Sequence, residues 1–209
     1  MADWRLWMAK HAITRRLFLA AAGATVSVAG FFMKAPEART VRMRRSTGMT
    51  AFDFSFVSIE DQPLPLAQFR GHPLLVVNTA SFCGYTPQYR GLEQLWESYR
   101  ARGLVVLGVP SNDFGQQEPG SSREIRAFCD TFAVSFPLSR RETVIGAGAH
   151  PFYRWIATEL GEDSLPRWNF HKYLVDRAGA VVGAWPSQVE PMAQEVRGAV
   201  EAALAPPRS

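Results

Sequence analysis

Cysteine is scarce in this 209-residue sequence: only Cys83 and Cys129 occur. Two cannot build a disulfide scaffold, and the C-x-x-C of dithiol oxidoreductases is missing because Thr86 stands where the second thiol would be. That disfavours a thiol-disulfide oxidoreductase or a metallochaperone. Metal ligation also lacks its residues, since His11, His72, His150 and His171 are scattered with no ligand spacing to Cys, Asp or Glu. A surplus of basic charge is absent from most of the chain despite its pI of about 9.4. Nine of the 23 Lys and Arg, but two of the 19 Asp and Glu, fall in residues 1–45, leaving that segment at +7 and the remainder at −3. A mildly acidic body gives no case for nucleic-acid binding.

What is present is ordinary globular composition, 47% apolar and 20% charged. The length suits one domain with a terminal extension. Residues 1–45 are read as that extension and residues 46–209 as the domain. Thr14-Arg15-Arg16-Leu17-Phe18-Leu19 resembles the twin-arginine export motif, and residues 17–33 follow without a charge, rich in Ala and Gly. Export to the periplasm is therefore expected. Retention as a membrane anchor is the alternative, although this uncharged run is at the lower limit for spanning ~30 Å of hydrocarbon. A buried helix of the domain is a third reading. Ala38 could end a cleavage site, with Pro36 in a disfavoured position.

Along the body, Phe52, Phe54 and Phe56 alternate with polar residues as a strand would. "LLVVNTA" (74–80) and "LVVLGVP" (104–110) read as buried strands. Thr86-Pro87 predicts a helix N-cap, Tyr89, Leu92, Trp96 and Tyr99 its apolar face, and Gly103 its stop. Ser121 and Glu124 can form a capping box for a second helix carrying Ile125, Phe128, Cys129 and Phe132 on one face. "HPFYRWIATEL" gives a third, residues 172–176 and 180–185 a hairpin, and residues 189–204 a closing helix. This order predicts an α/β protein of thioredoxin-like fold, a central mixed β-sheet flanked by helices on both faces.

Cys83 then lies past the carboxyl end of the first buried strand, where open α/β sheets carry reactive groups. Unpaired N–H groups at a helix start favour a thiolate, the species that attacks disulfides or the O–O bond of a peroxide. Without a second local cysteine, a sulfenic acid is the natural first product and a peroxide the natural oxidant. A buried structural cysteine is the alternative.

Three separated stretches, "NTASFCGYTPQYRGLEQLW", "LGVPSNDFGQQEPGSSREI" and "WNFHKYLVD", occur in order. Together they closely resemble the glutathione peroxidase family over roughly residues 50–205. The resemblance implies a peroxidatic Cys83 surrounded by Gln117, Trp168 and Asn169. Amide and indole N–H groups could donate to a sulfur anion without adding a cation, and a water held by them could protonate the departing oxygen. Taken singly, Trp168 could be core, Gln117 a loop amide and Asn169 a turn former. The segment Val109-Pro110-Ser111-Asn112-Asp113-Phe114 departs from the family pattern by placing a carboxylate at Asp113, which is expected to face solvent.

The family is reset either by glutathione or through a resolving cysteine and a thioredoxin. The resemblance places the resolving thiol at Cys129, whose apolar neighbours also fit a plain core cysteine. If it resolves, its helix must partly unwind, because a disulfide needs Cα atoms within about 7 Å. No bound cofactor is implied; the thiol reductant, glutathione or a thioredoxin-like dithiol, is a co-substrate. The short segment Gly161–Arg167, where tetrameric members carry an insertion, implies a monomer with a site open to hydrogen peroxide and bulky lipid hydroperoxides. A redox sensor or relay, passing its disulfide to a partner protein, is the competing function.

Overall fold

The computed structural model describes residues 48–206. The leader, with Arg15, Arg16 and Ala38, lies outside the described residues. Among the described residues no helix is long and apolar enough to cross a membrane.

A small antiparallel pair comes first, β1 (Ser55–Val57) with β2 (Pro63–Pro65). Then follow β3 (Leu74–Thr79), α1 (Gln88–Tyr99), β4 (Val105–Pro110), α2 (Ser122–Asp130), α3 (Pro151–Leu160), β5 (Lys172–Val175), β6 (Val181–Trp185) and α4 (Gln194–Leu204). The main sheet has the order β4-β3-β5-β6, with β3 and β4 parallel and the other neighbours antiparallel. It is the mixed sheet of the thioredoxin-like fold.

Every residue of β3 and β4 is buried, which explains their continuous apolar runs. Successive side chains point to opposite faces of the sheet. Leu75, Val77, Val106 and Leu174 pack with α1, α2 and α4, while Leu74, Val76, Leu107 and Tyr173 pack with α3 and with Phe54 and Phe56. Each face thereby has its own core.

Three sequence expectations are corrected at element ends. Phe52, Phe54 and Phe56 are all buried, but Ala51–Asp53 is a 3₁₀ turn and pairing starts only at Ser55. The Asp53 carboxylate accepts the Thr50 N–H at 2.7 Å, closing that turn. The last helix begins at Gln194 instead of 189, since Pro191 cannot sit inside a helix and instead packs against Gly91 of α1. Finally, α1 begins at Gln88, with Pro87 before it, so Thr86 is not the cap.

Candidate active site

Thr86 has a different task. Its hydroxyl accepts the Cys83 N–H at 3.0 Å and donates to the Ala80 carbonyl at 2.9 Å. Its own N–H reaches the Cys83 carbonyl at 3.0 Å. These bonds staple the bend between β3 and α1 and fix Cys83 at its corner. The sulfur accepts the Tyr85 N–H at 3.4 Å, a neutral donor supplied by the backbone. Cys83 is buried, with 8% of the residue exposed.

The loop after β4 is tied to the same corner, because the Phe82 N–H donates to the Gln117 carbonyl at 3.0 Å. Gly115 and Gln116 both take left-handed backbone, φ 63° and 53°, turning the loop so that Gln117 faces inward. Asn169, fully buried, donates its side-chain amide to Gln117 Oε1 at 2.9 Å. That bond occupies the oxygen of Gln117 and leaves its two Nε2 hydrogens to donate elsewhere. A Cβ on Gly115 would lie 3.5 Å from both Gln117 Nε2 and the Trp168 ring, so the amide and the indole meet over this glycine. Trp168 leans on Phe114 and is 38% exposed.

Sequence reasoning missed the residue that holds this arrangement. Asn78, buried in β3, donates to the Trp168 carbonyl at 3.1 Å and accepts the His171 N–H at 3.0 Å. Its main-chain carbonyl accepts the Phe170 N–H. Phe170 is held at φ 64°, a region costly for a non-glycine residue. An asparagine inside an otherwise apolar strand was the available signal. Thus Asn169 holds Gln117, Asn78 holds Trp168, and the Gln117 carbonyl is tied to Phe82, the residue before Cys83.

Asp113 departs from the sequence expectation of facing solvent. Its carboxylate accepts the Val144 N–H at 2.6 Å and the Ile145 N–H at 3.3 Å, anchoring a neighbouring loop. Cys129 is fully buried at the penultimate position of α2, beside Tyr89. Burial pushes its thiol up to about 11. Both cysteines are free. Between the bend at Ser81-Phe82 and α2 lies a cavity of about 340 Å³, bordered by Glu118, Ile125 and Phe128.

Beneath the site, burial and then the Lys172 ammonium push the His171 imidazole down to about 3, against its ordinary 6.5. A depressed folded value gives stability that is complete above pH 6.5 and is lost as pH falls toward 3. Urea unfolding should therefore show the wild type losing about 1–2 kcal/mol more than His171→Asn between pH 6.5 and pH 5. Parallel losses would contradict the buried neutral imidazole.

The fold and its corner define a thioredoxin-fold protein with a single cysteine past the end of β3 and no dithiol pair. A glutathione peroxidase family model matches residues 51–157. The chain is 42% identical over 158 residues to the hydroperoxy fatty acid reductase gpx1 of Synechocystis sp., covering 71% of this chain and 94% of that protein. It is 41% identical over 143 residues to the glutathione peroxidase-like peroxiredoxin gpx1 of Schizosaccharomyces pombe, covering 67% and 90%. The apo crystal structure of Trgpx superposes with a TM-score of 0.62 at 34% identity, covering 76% of this chain and 97% of that one. The chain belongs to the glutathione peroxidase family. It is a peroxidase, drawing on a hydroperoxide and a thiol reductant.

Proposed function

We propose that the enzyme reduces hydrogen peroxide and organic hydroperoxides, lipid hydroperoxides included, through Cys83, and so serves the response to oxidative stress. The Cys83 thiolate attacks the terminal peroxide oxygen, the O–O bond breaks, and Cys83 becomes a sulfenic acid. The departing alkoxide or hydroxide takes a proton, relayed through a water held by the amides. Gln117 and Trp168 are the neutral donors that orient the hydroperoxide and stabilise negative charge, and Asn169 positions Gln117. The observation that carries this assignment is the Asn169-to-Gln117 bond, which presents the amide's N–H side for donation.

Cys129 then attacks the sulfenic sulfur, giving a Cys83–Cys129 disulfide and water, and a thioredoxin-like dithiol restores both thiols. Direct reduction by glutathione is the alternative route. A local opening of α2 is required, and its carboxyl end suits one. Cys129 is one residue from the end of a nine-residue helix, and Ala133 just beyond is held at φ 56°. The leader would send the protein to the periplasm by the twin-arginine route; left uncut, it would tether a monomer to the membrane.

The assay follows hydroperoxide consumption by the full chain with thioredoxin or glutathione as reductant. Continuous turnover with thioredoxin, at least about tenfold faster than with glutathione at equal thiol, is expected. A single turnover that stalls with either generic reductant would instead favour a relay awaiting a particular partner protein.

A further inference from the structure

Glu118 is a buried carboxyl that the steps above do not use. It is 1% exposed, and neither carboxylate oxygen has a hydrogen-bond partner of proper geometry. Its main chain, by contrast, is pinned from two sides. The N–H donates to Asn112 Oδ1 at 2.8 Å, and the carbonyl accepts from Arg141 Nη1 at 3.1 Å. Ser81 is the one residue close enough to favour its carboxylate by hydrogen bonding, and burial outweighs it, so a carboxyl enclosed this way invites a chemical explanation. The cavity it borders supplies one. One wall is Ser81 and Phe82, adjoining Cys83; the other is Ile125 and Phe128, adjoining Cys129. The Phe82 and Phe128 rings, one from each wall, lie with centroids 6.1 Å apart.

We propose that Glu118 is the acid–base group of the resolving step, carrying the proton from the Cys129 thiol to the oxygen that leaves Cys83. The proposal rests on Cys129 being the resolving cysteine. Glu118 as carboxylate takes the Cys129 proton once α2 opens into the cavity. The Cys129 sulfur then forms the S–S bond to Cys83 as the S–O bond of the sulfenic acid breaks. Glu118 as carboxylic acid gives its proton to the departing hydroxide, which leaves as water. Cys129 is oxidised, the sulfenic sulfur is reduced, and Glu118 returns to its starting state.

The chemistry needs such a group because the Cys129 thiol, pushed up to about 11, yields almost no thiolate at neutral pH unaided. Burial raises the Glu118 carboxyl to about 7, opposed by Ser81 and the Arg141 guanidinium, so both of its forms are populated near neutrality. The titratable and charged groups facing it are Arg141 from the following loop, Cys129 and Glu124 from α2, and Tyr89 from α1.

The test is a single-turnover reaction of the full, reduced chain with one equivalent of hydrogen peroxide, quenched at intervals by a thiol alkylator. It reads peroxide consumption and disulfide formation separately from pH 5.5 to 8.5 (roughly the window in which general acid–base groups tuned to neutrality titrate). In the wild type the rate of disulfide formation should bend near the Glu118 value. In Glu118→Gln the ratio of disulfide formation to peroxide consumption should fall about 100-fold and the bend vanish, while Glu118→Asp keeps a bend at a reduced rate. Disulfide formation in Glu118→Gln at the wild-type ratio and profile would overturn the proposal. Should the Gln variant fail to fold, a flat wild-type profile overturns it equally. A wild type that forms no Cys83–Cys129 disulfide at any pH would mark the failure of the resolving assignment itself, a different outcome.

Discussion

Replacing Cys83 by serine should reduce hydroperoxide consumption to the uncatalysed background, a loss of at least about a thousandfold. Serine is nearly the same size and keeps an acceptor for the Tyr85 N–H, so the bend stapled by Thr86 should survive. What disappears is the polarisable, ionisable sulfur, the only atom at this corner able to accept an oxygen from a peroxide and give it up again. Stopped-flow peroxide decay, with thermal unfolding recorded alongside, separates loss of chemistry from loss of fold. Residual catalysis above background in the folded variant would mean that the reacting group lies elsewhere.

The second large effect belongs to Cys129. Its replacement by serine should leave the first equivalent of peroxide consumed and then stall, with thioredoxin-dependent turnover falling on the order of a hundredfold. The first equivalent needs only Cys83 and its donors. Every later one needs a disulfide that thioredoxin can open, and a lone sulfenic acid does not offer it. Cys129 is wholly buried among apolar side chains, where a serine hydroxyl costs about 1–3 kcal/mol. Cys129→Ala is therefore the companion variant, and agreement between the two assigns the stall to chemistry. Full thioredoxin-dependent turnover in both would make Cys129 a core residue.

These two outcomes bear on a contrast between the surroundings of the two cysteines. The bend at Cys83 is held by Thr86, and the Gln117 loop by Asn169 and Phe82. Cys129 sits at the end of a short helix capped tightly at its start, by Ser121 and Glu124, but followed by a turn with left-handed backbone. Dense bonding under one thiol and a short helix end under the other suit the two proposed steps, which make opposite demands on mobility.

Much of this was legible in the sequence where burial dictates residue type. The apolar runs of β3 and β4 and the Ser121–Glu124 box announced their elements, because two-sided burial and helix capping each leave a local signature. The grouping of Gln117 with Trp168 and Asn169 became readable only through resemblance, since 52 residues separate Gln117 from Asn169 and no periodicity links them. Other features were not legible. Thr86-Pro87 looked like a cap because the local pattern fits one, but the hydroxyl is used for the bend, a contact six residues back to Ala80. Asp113 looked free because its partners, the Val144 and Ile145 amides, arrive from a remote loop. Glu118 gave no sign of burial at all, because acidic residues in glycine-rich loops usually face water; only the folded chain encloses it.

The most direct test of the account is chemical trapping of the first oxidation product. Reduced Cys129→Ser protein, given one equivalent of hydroperoxide and a sulfenic-acid-specific nucleophile, should carry a single adduct on the Cys83 peptide by mass spectrometry, matched to the peroxide consumed. Peroxide consumed with Cys83 left as a free thiol would contradict it.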